Sequence, residues 1–122
     1  MLKIFINGES GKMGASIIKL IDDDDSFIRV EKGDLITADV VIDFSHPNST
    51  LEILQDCLEN KKPLVIGTTG FNAQQESLIA EAAESISIVF APNMSIGVNL
   101  SLNLLAGYTY MNTKSLEPNA VL

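Results

Sequence analysis

Between Gly8 and Gly14 the chain reads Gly8-Glu9-Ser10-Gly11-Lys12-Met13-Gly14, a G-x-x-G-x-x-G spacing set after a β-rich apolar run and before a helical pattern. That placement suits phosphate. Gly8 permits a tight turn, Gly11 lets a pyrophosphate come close to the backbone, and Gly14 lets the following helix lie close on its strand. A helix starting there offers free N–H groups and the positive end of its dipole to an anion, and Lys12 adds a formal charge at the same edge. About twenty residues past Gly11 stands Glu31, where a carboxylate bonds ribose hydroxyls in dinucleotide sites. Lys32 follows it. A carboxylate alone favours NAD and repels a 2′-phosphate, whereas the neighbouring ammonium accepts one, so the pair points to NADH or NADPH as the ligand. The bland alternatives are a structural glycine turn and two solvated turn charges.

Two further segments combine glycines with short hydroxyls or amides: Gly67-Thr68-Thr69-Gly70-Phe71, and Ala91-Pro92-Asn93-Met94-Ser95-Ile96-Gly97-Val98-Asn99. Each follows an expected strand, at the rim where a nicotinamide ring would lie. Taken alone, each reads equally as a tight turn with a helix cap. The single histidine, His46, precedes Pro47 and reads as a turn residue. The single cysteine, Cys57, can form neither an internal disulfide nor a metal cluster and reads as core. The run Asp22 to Asp25 falls at a helix C-terminus without the alternating Asp and Gly spacing of a calcium loop, and reads as a solvated turn.

The elements that must position these residues follow from the hydrophobic period. Leu2 to Asn7 is a short apolar strand, after which Met13, Ile17, Ile18 and Ile21 fall on one helix face up to Asp22. A second strand runs from Phe27 to Val30, ahead of Glu31. About eight residues then lead to a third strand, Val40 to Phe44, and that link is too short for a full helix. Pro47 opens a helix to about Asn60, with Leu51, Ile53, Leu54, Cys57 and Leu58 as candidate buried positions. Pro63 to Ile66 is a fourth strand, Asn72 caps a helix to about Glu84, and Ile86 to Phe90 is a fifth strand. Ser95 to Ala106 is expected to be helical. The alternation predicts an α/β domain, a Rossmann-like doubly wound parallel sheet of at least five strands with helices on both faces. It is expected over residues 1–106, with 107–122 a tail lacking a clear period.

Composition narrows the function classes. The length, 122 residues, fits one domain, and 46% apolar against 20% charged residues is a globular balance. Eight Lys and Arg against sixteen Asp and Glu give a net charge of −8, which repels nucleic acid. No long apolar stretch stands behind Leu2 to Ile6, so neither a signal peptide nor a membrane span is expected, and a cytoplasmic location is.

The glycine turn with Lys12-Met13, then Glu31-Lys32, Asp43-Phe44-Ser45, Gly67 to Phe71 and Ala91 to Asn99 together resemble the N-terminal domain of the 4-hydroxy-tetrahydrodipicolinate (dihydrodipicolinate) reductases, lysine-pathway enzymes that use NADH or NADPH. The resemblance runs from Lys3 to about Leu105. It implies that Gly8, Lys12 and Met13 hold the pyrophosphate side, with Glu31 on the adenine ribose and Lys32 near any 2′-phosphate. It implies that Phe44 and Ser45 line the far end of the cofactor and that Gly67 and Thr69 contact the nicotinamide carboxamide. Ala91, Asn93 and Met94 would close that pocket, Met94 standing where the family often has Phe. The family's His-His-x-x-Lys motif, which belongs to a substrate domain, does not occur in these residues, so no catalytic residue is assigned. The link after Glu31 is also shorter than in many members. Gly107-Tyr108-Thr109-Tyr110-Met111 and Val121-Leu122 faintly echo the end of family chains, through deletion of the middle or through chance.

Two functions follow as expectations. One is the NAD(P)H-binding part of a reductase acting on a heterocyclic dicarboxylate, inactive by itself. The other is a non-catalytic module that senses NAD(P)H or docks onto a partner chain supplying the substrate domain; self-association is compatible with either.

Overall fold

Five short apolar segments pair into one sheet in the computed structural model, which describes residues 2–8 and 11–90 and leaves aside the side chains of Met13 and Lys32. The strands are β1 (Leu2–Asn7), β2 (Phe27–Arg29), β3 (Val40–Asp43), β4 (Leu64–Ile66) and β5 (Ile88–Phe90). Between them lie helices α1 (Lys12–Asp22), α2 (Pro47–Asn60) and α3 (Ala73–Ala82), and a 3-10 helix, Lys32–Thr37. The sheet is parallel throughout, in the order β2-β1-β3-β4-β5. The expected helix 95–106 and the tail 107–122 lie outside the described residues.

Alternation along each strand sends its side chains to two cores. Ile4, Ile6, Val40, Ile42, Val65 and Val89 meet Ile17 and Ile21 of α1 on one face. On the other, Phe5, Val41, Leu64, Ile66 and Ile88 meet Ile53, Leu54 and Cys57 of α2 and Ile79 and Ala82 of α3. Helices therefore cover both faces. Fully burying an Ile or Leu is worth about 1.5–3 kcal/mol, which fixes the register because a one-residue slip would turn each strand's apolar set to the wrong side.

Differences from the sequence reading lie at element ends. β2 stops at Arg29 and β3 at Asp43, although Val30 N–H still donates to Ile4 C=O (2.9 Å) and Phe44 N–H to Asn7 C=O (2.9 Å). Pro63 has no N–H and stands before β4, its carbonyl accepting from Val41 (3.0 Å). α3 ends at Ala82 rather than Glu84, and Ile86 N–H is spent on the helix end at Ala82 C=O (3.1 Å), so β5 starts at Ile88. The short link after Glu31 forms the 3-10 helix, whose Leu35, with the following Ala38, joins the second core. In α2, Leu51 and Leu58 are only partly buried while Thr50 is fully buried.

The run Asp22 to Asp25 is exposed. Asp22 accepts two bonds from the Arg29 guanidinium (2.9 and 3.3 Å), and Asp24 accepts from Ser26 N–H (2.8 Å). Among the described residues no group of His, Cys, Asp and Glu could hold a metal ion, and no helix is long and apolar enough to cross a membrane.

Candidate functional site

Strand register aligns the carboxyl ends. Asn7 faces Asp43, Asp43 faces Ile66, and Ile66 faces Phe90, so the described residues that follow β1, β3 and β4 form one rim. The chain leaves β1 toward β2 on one side, whereas β3 pairs on the other. Strand order reverses between β1 and β3, and ligands of open parallel sheets bind outside the strand ends at such a point.

The glycine turn sits at this switch point. Gly8 has φ +95°, and a Cβ there would lie 2.5 Å from the Phe44 carbonyl oxygen and 2.9 Å from Ser45 N, so the turn is pressed against the one that follows β3. Gly11 is different. It is the N-cap of α1, at φ −83° and ψ 166°, open to any residue, and a Cβ there would come no closer than 3.6 Å to Gly8 C=O. The fold does not need a glycine at 11. Its bare surface leaves the N-terminus of α1 without a side-chain cap, and Lys12 begins the helix with no acidic residue in the first turn.

Two clefts flank this turn and share Gly8. One, of about 160 Å³, is lined by Phe5, Ile6, Asn7, Gly8, Arg29, Val30 and Glu31. The other, of about 330 Å³, is lined by Gly8, Gly11, Phe44, Ser45, His46 and Ser49. Glu31 is exposed at the end of β2, where it caps the 3-10 helix through its backbone carbonyl, which accepts from Asp34 N–H (2.8 Å). Phe44 and Ser45 are half-buried at the opposite cleft, and Gly67 and Thr69 follow β4 on the same rim, Thr69 exposed. The structure thus brings Gly8, Gly11, Lys12, Glu31, Phe44, Ser45, Gly67 and Thr69 to one edge of the sheet. Met13 and Lys32 have their backbones there. Ala91, Asn93 and Met94 lie outside the described residues.

Beneath the rim is a polar cluster that the sequence reading missed. Asp43 has no exposure and accepts four side-chain hydrogen bonds: from Asn7 Nδ2 (2.8 Å), Ser45 Oγ (2.6 Å), Thr68 Oγ1 (2.6 Å) and Thr50 Oγ1. Thr68 Oγ1 accepts in turn from Ser45 N–H (3.0 Å), and Asn7 Nδ2 reaches Ser49 Oγ (3.0 Å). The signal was present in the sequence: a lone charge inside a strand buried on both faces requires partners, and Asn7, Ser45 and Thr68 are neutral donors at adjoining strand ends, with Thr50 in the first turn of α2.

His46 caps α2, its side chain accepting from Ser49 N–H (3.4 Å), which agrees with a turn role. Cys57 is buried, and that burial, with the charges of Asp56 and Asp43, pushes its thiol up to about 12. It is a core residue and no nucleophile at neutral pH. A separate groove of about 320 Å³ between α2 and α3 is lined by Leu51, Leu54, Leu58 and Leu78 among others. It lies on the helical flank and carries none of the rim residues.

Residues 29–94 match the family model described as dihydrodipicolinate reductase, N-terminus. A 4-hydroxy-tetrahydrodipicolinate reductase of Hahella chejuensis is 38% identical over 137 residues, spanning 87% of this chain and 51% of that protein. Another, of Methylococcus capsulatus, is 61% identical over 67 residues, spanning 55% of this chain and 25% of that protein. In three dimensions the chain is similar to a dipicolinate-bound dihydrodipicolinate reductase from Paenisporosarcina sp. TG-14, with a TM-score of 0.60 and 25% identity, over 76% of this chain and 48% of that one. The chain spans about half or less of the length of these relatives.

Proposed function

The chain belongs to the dihydrodipicolinate reductase N-terminal family, and from that premise we propose that it is the NAD(P)H-holding part of such a reductase. The observation that carries the reading is Gly11: a helix N-terminus at the switch point of a parallel sheet, kept bare by a glycine the fold does not require. A pyrophosphate fits there, accepting from the first-turn N–H groups of α1 beside Lys12. The adenosine half extends to the cleft of Glu31, whose carboxylate accepts from ribose hydroxyls, with Lys32 next to it for a 2′-phosphate, so both NADH and NADPH are ligands. The nicotinamide half lies in the cleft of Phe44 and Ser45, with Gly67 and Thr69 at its edge, and the family resemblance assigns Ala91, Asn93 and Met94 to the same half of the ligand.

Bound NAD(P)H supplies the hydride, in the family's reaction to a heterocyclic dicarboxylate of lysine biosynthesis. The chain's own residues orient the dinucleotide. They include no His-His-x-x-Lys, and their one histidine caps a helix. A protein of these 122 residues alone is therefore expected to bind the cofactor without turning over substrate, the proton donor and acceptor-binding residues coming from a further domain or a partner chain. Such an enzyme works in the cytoplasm.

Calorimetric titration with NADH and NADPH tests the reading. Wild type is expected to bind both, and Gly11→Val to lose at least about tenfold in affinity while staying folded, its stability lowered only by the roughly 1 kcal/mol of a poorer N-cap, because the side chain fills the phosphate approach and not the core. Equal affinity of the two proteins would remove the proposal. NADPH oxidation with fresh substrate at the rate of a full-length family enzyme would remove the claim of inactivity.

A further inference from the structure

The site above takes in the ends of β1, β3 and β4, and nothing in the dinucleotide reading explains why a carboxyl group is buried beneath them. Burying one is costly unless every oxygen is satisfied, and an apolar residue would complete β3 without that cost. Asp43 is satisfied by neutral donors alone: Asn7 from the end of β1, Ser45 and Thr50 from the turn after β3 and the first turn of α2, and Thr68 from the turn after β4. These are the segments that carry the rim on the β3 side. An acceptor-only group is the one kind that can take all four bonds at once, because a donor in its place must turn at least one of these hydroxyl or amide hydrogens away.

The arrangement continues from Asp43 to the backbone of the candidate site. Thr68 Oγ1 gives its proton to Asp43 and so presents a lone pair to Ser45 N–H (3.0 Å). Phe44 N–H is held by Asn7 C=O (2.9 Å) and Gly67 N–H by Asp43 C=O (2.8 Å). The Phe44-Ser45 turn is thereby clamped from β1 and from β4, and Thr68 is turned inward while its neighbour Thr69 faces out at the rim. The N-terminus of α1 and Glu31 have no bond to this cluster among those of the described side chains.

We propose that Asp43 is a positioning residue for the nicotinamide half of the dinucleotide: it sets the spacing between the β3 and β4 turns and leaves the adenosine half to the glycine turn and Glu31. The inference rests on the dinucleotide reading above. It assigns Asp43 no contact with the ligand.

The test compares NADH with ADP-ribose, which lacks the nicotinamide, by calorimetry on the 122-residue chain. Asp43→Asn places an amide hydrogen against donors and is expected to weaken NADH by roughly ten- to a hundredfold while ADP-ribose changes by less than about threefold. Thr68→Val, which keeps the shape and removes the hydroxyl, is expected to repeat that split, and Thr68→Ser to restore NADH binding. The Thr68 pair decides the matter if Asp43→Asn does not fold. Equal weakening of both ligands, or no weakening, in folded variants would overturn the positioning role while leaving the dinucleotide reading intact. Failure of wild type to bind either ligand would instead overturn the dinucleotide reading, and this inference with it.

Discussion

Gly8 and Gly11 stand three residues apart and are glycines for different reasons. At Gly8 both the positive φ and the 2.5 Å approach of a built Cβ to the Phe44 carbonyl exclude a side chain, so the residue belongs to the fold. Gly8→Ala is expected to destabilise the protein by about 2–4 kcal/mol, measured as a lowered urea midpoint at unchanged slope; an unshifted midpoint would show that the two turns are not pressed together as described. At Gly11, where no close approach excludes a side chain, the proposed cost falls mainly on the ligand. The motif spacing identified both positions, but this division of labour was illegible, because it depends on how near the second turn comes. Asp43 carries a signal of its own, a lone charge in a strand buried on both faces, but which groups answer it was illegible for the same reason. Two of its four partners, Asn7 and Thr68, are 36 residues upstream and 25 downstream, joined only when three strand ends align.

At the scale of elements, local chemistry was enough where an end carries its own signal. Pro47 at the start of α2 and Asn72 before α3 are such signals, and both helices begin where these residues require. Asn72 accepts from Gln75 N–H (2.8 Å) and the Gln75 side chain accepts from Asn72 N–H (2.8 Å), a complete capping box. Asn72→Ala is expected to cost about 1 kcal/mol in thermal or urea unfolding and to leave dinucleotide affinity unchanged, since the box lies outside the rim; a loss of affinity would tie α3 to the site. Ends without such signals shifted by one or two residues, as at β5, where Ile86 was taken by the helix before it. The 3-10 helix after Glu31 could be foreseen only as a link too short for a helix. What it became was set by burial of Leu35 and Ala38.

For the molecule as a whole, alternation of apolar strands and helices was sufficient to give a parallel sheet covered on both faces, since burying two faces admits few other solutions. The strand order could not be read from the period and required the structure. That order is what places the glycine turn between two clefts, the pair proposed to hold the two halves of a dinucleotide. The central claim is that this edge of the sheet is where NAD(P)H sits. An amide-resolved NMR titration of the isotope-labelled chain with NADH tests it most directly. The account predicts perturbations concentrated at Gly8, Gly11, Lys12, Glu31, Phe44, Ser45 and Gly67. Perturbations centred on the α2–α3 groove at Leu54, Leu58 and Leu78, or none at saturating NADH, would contradict it.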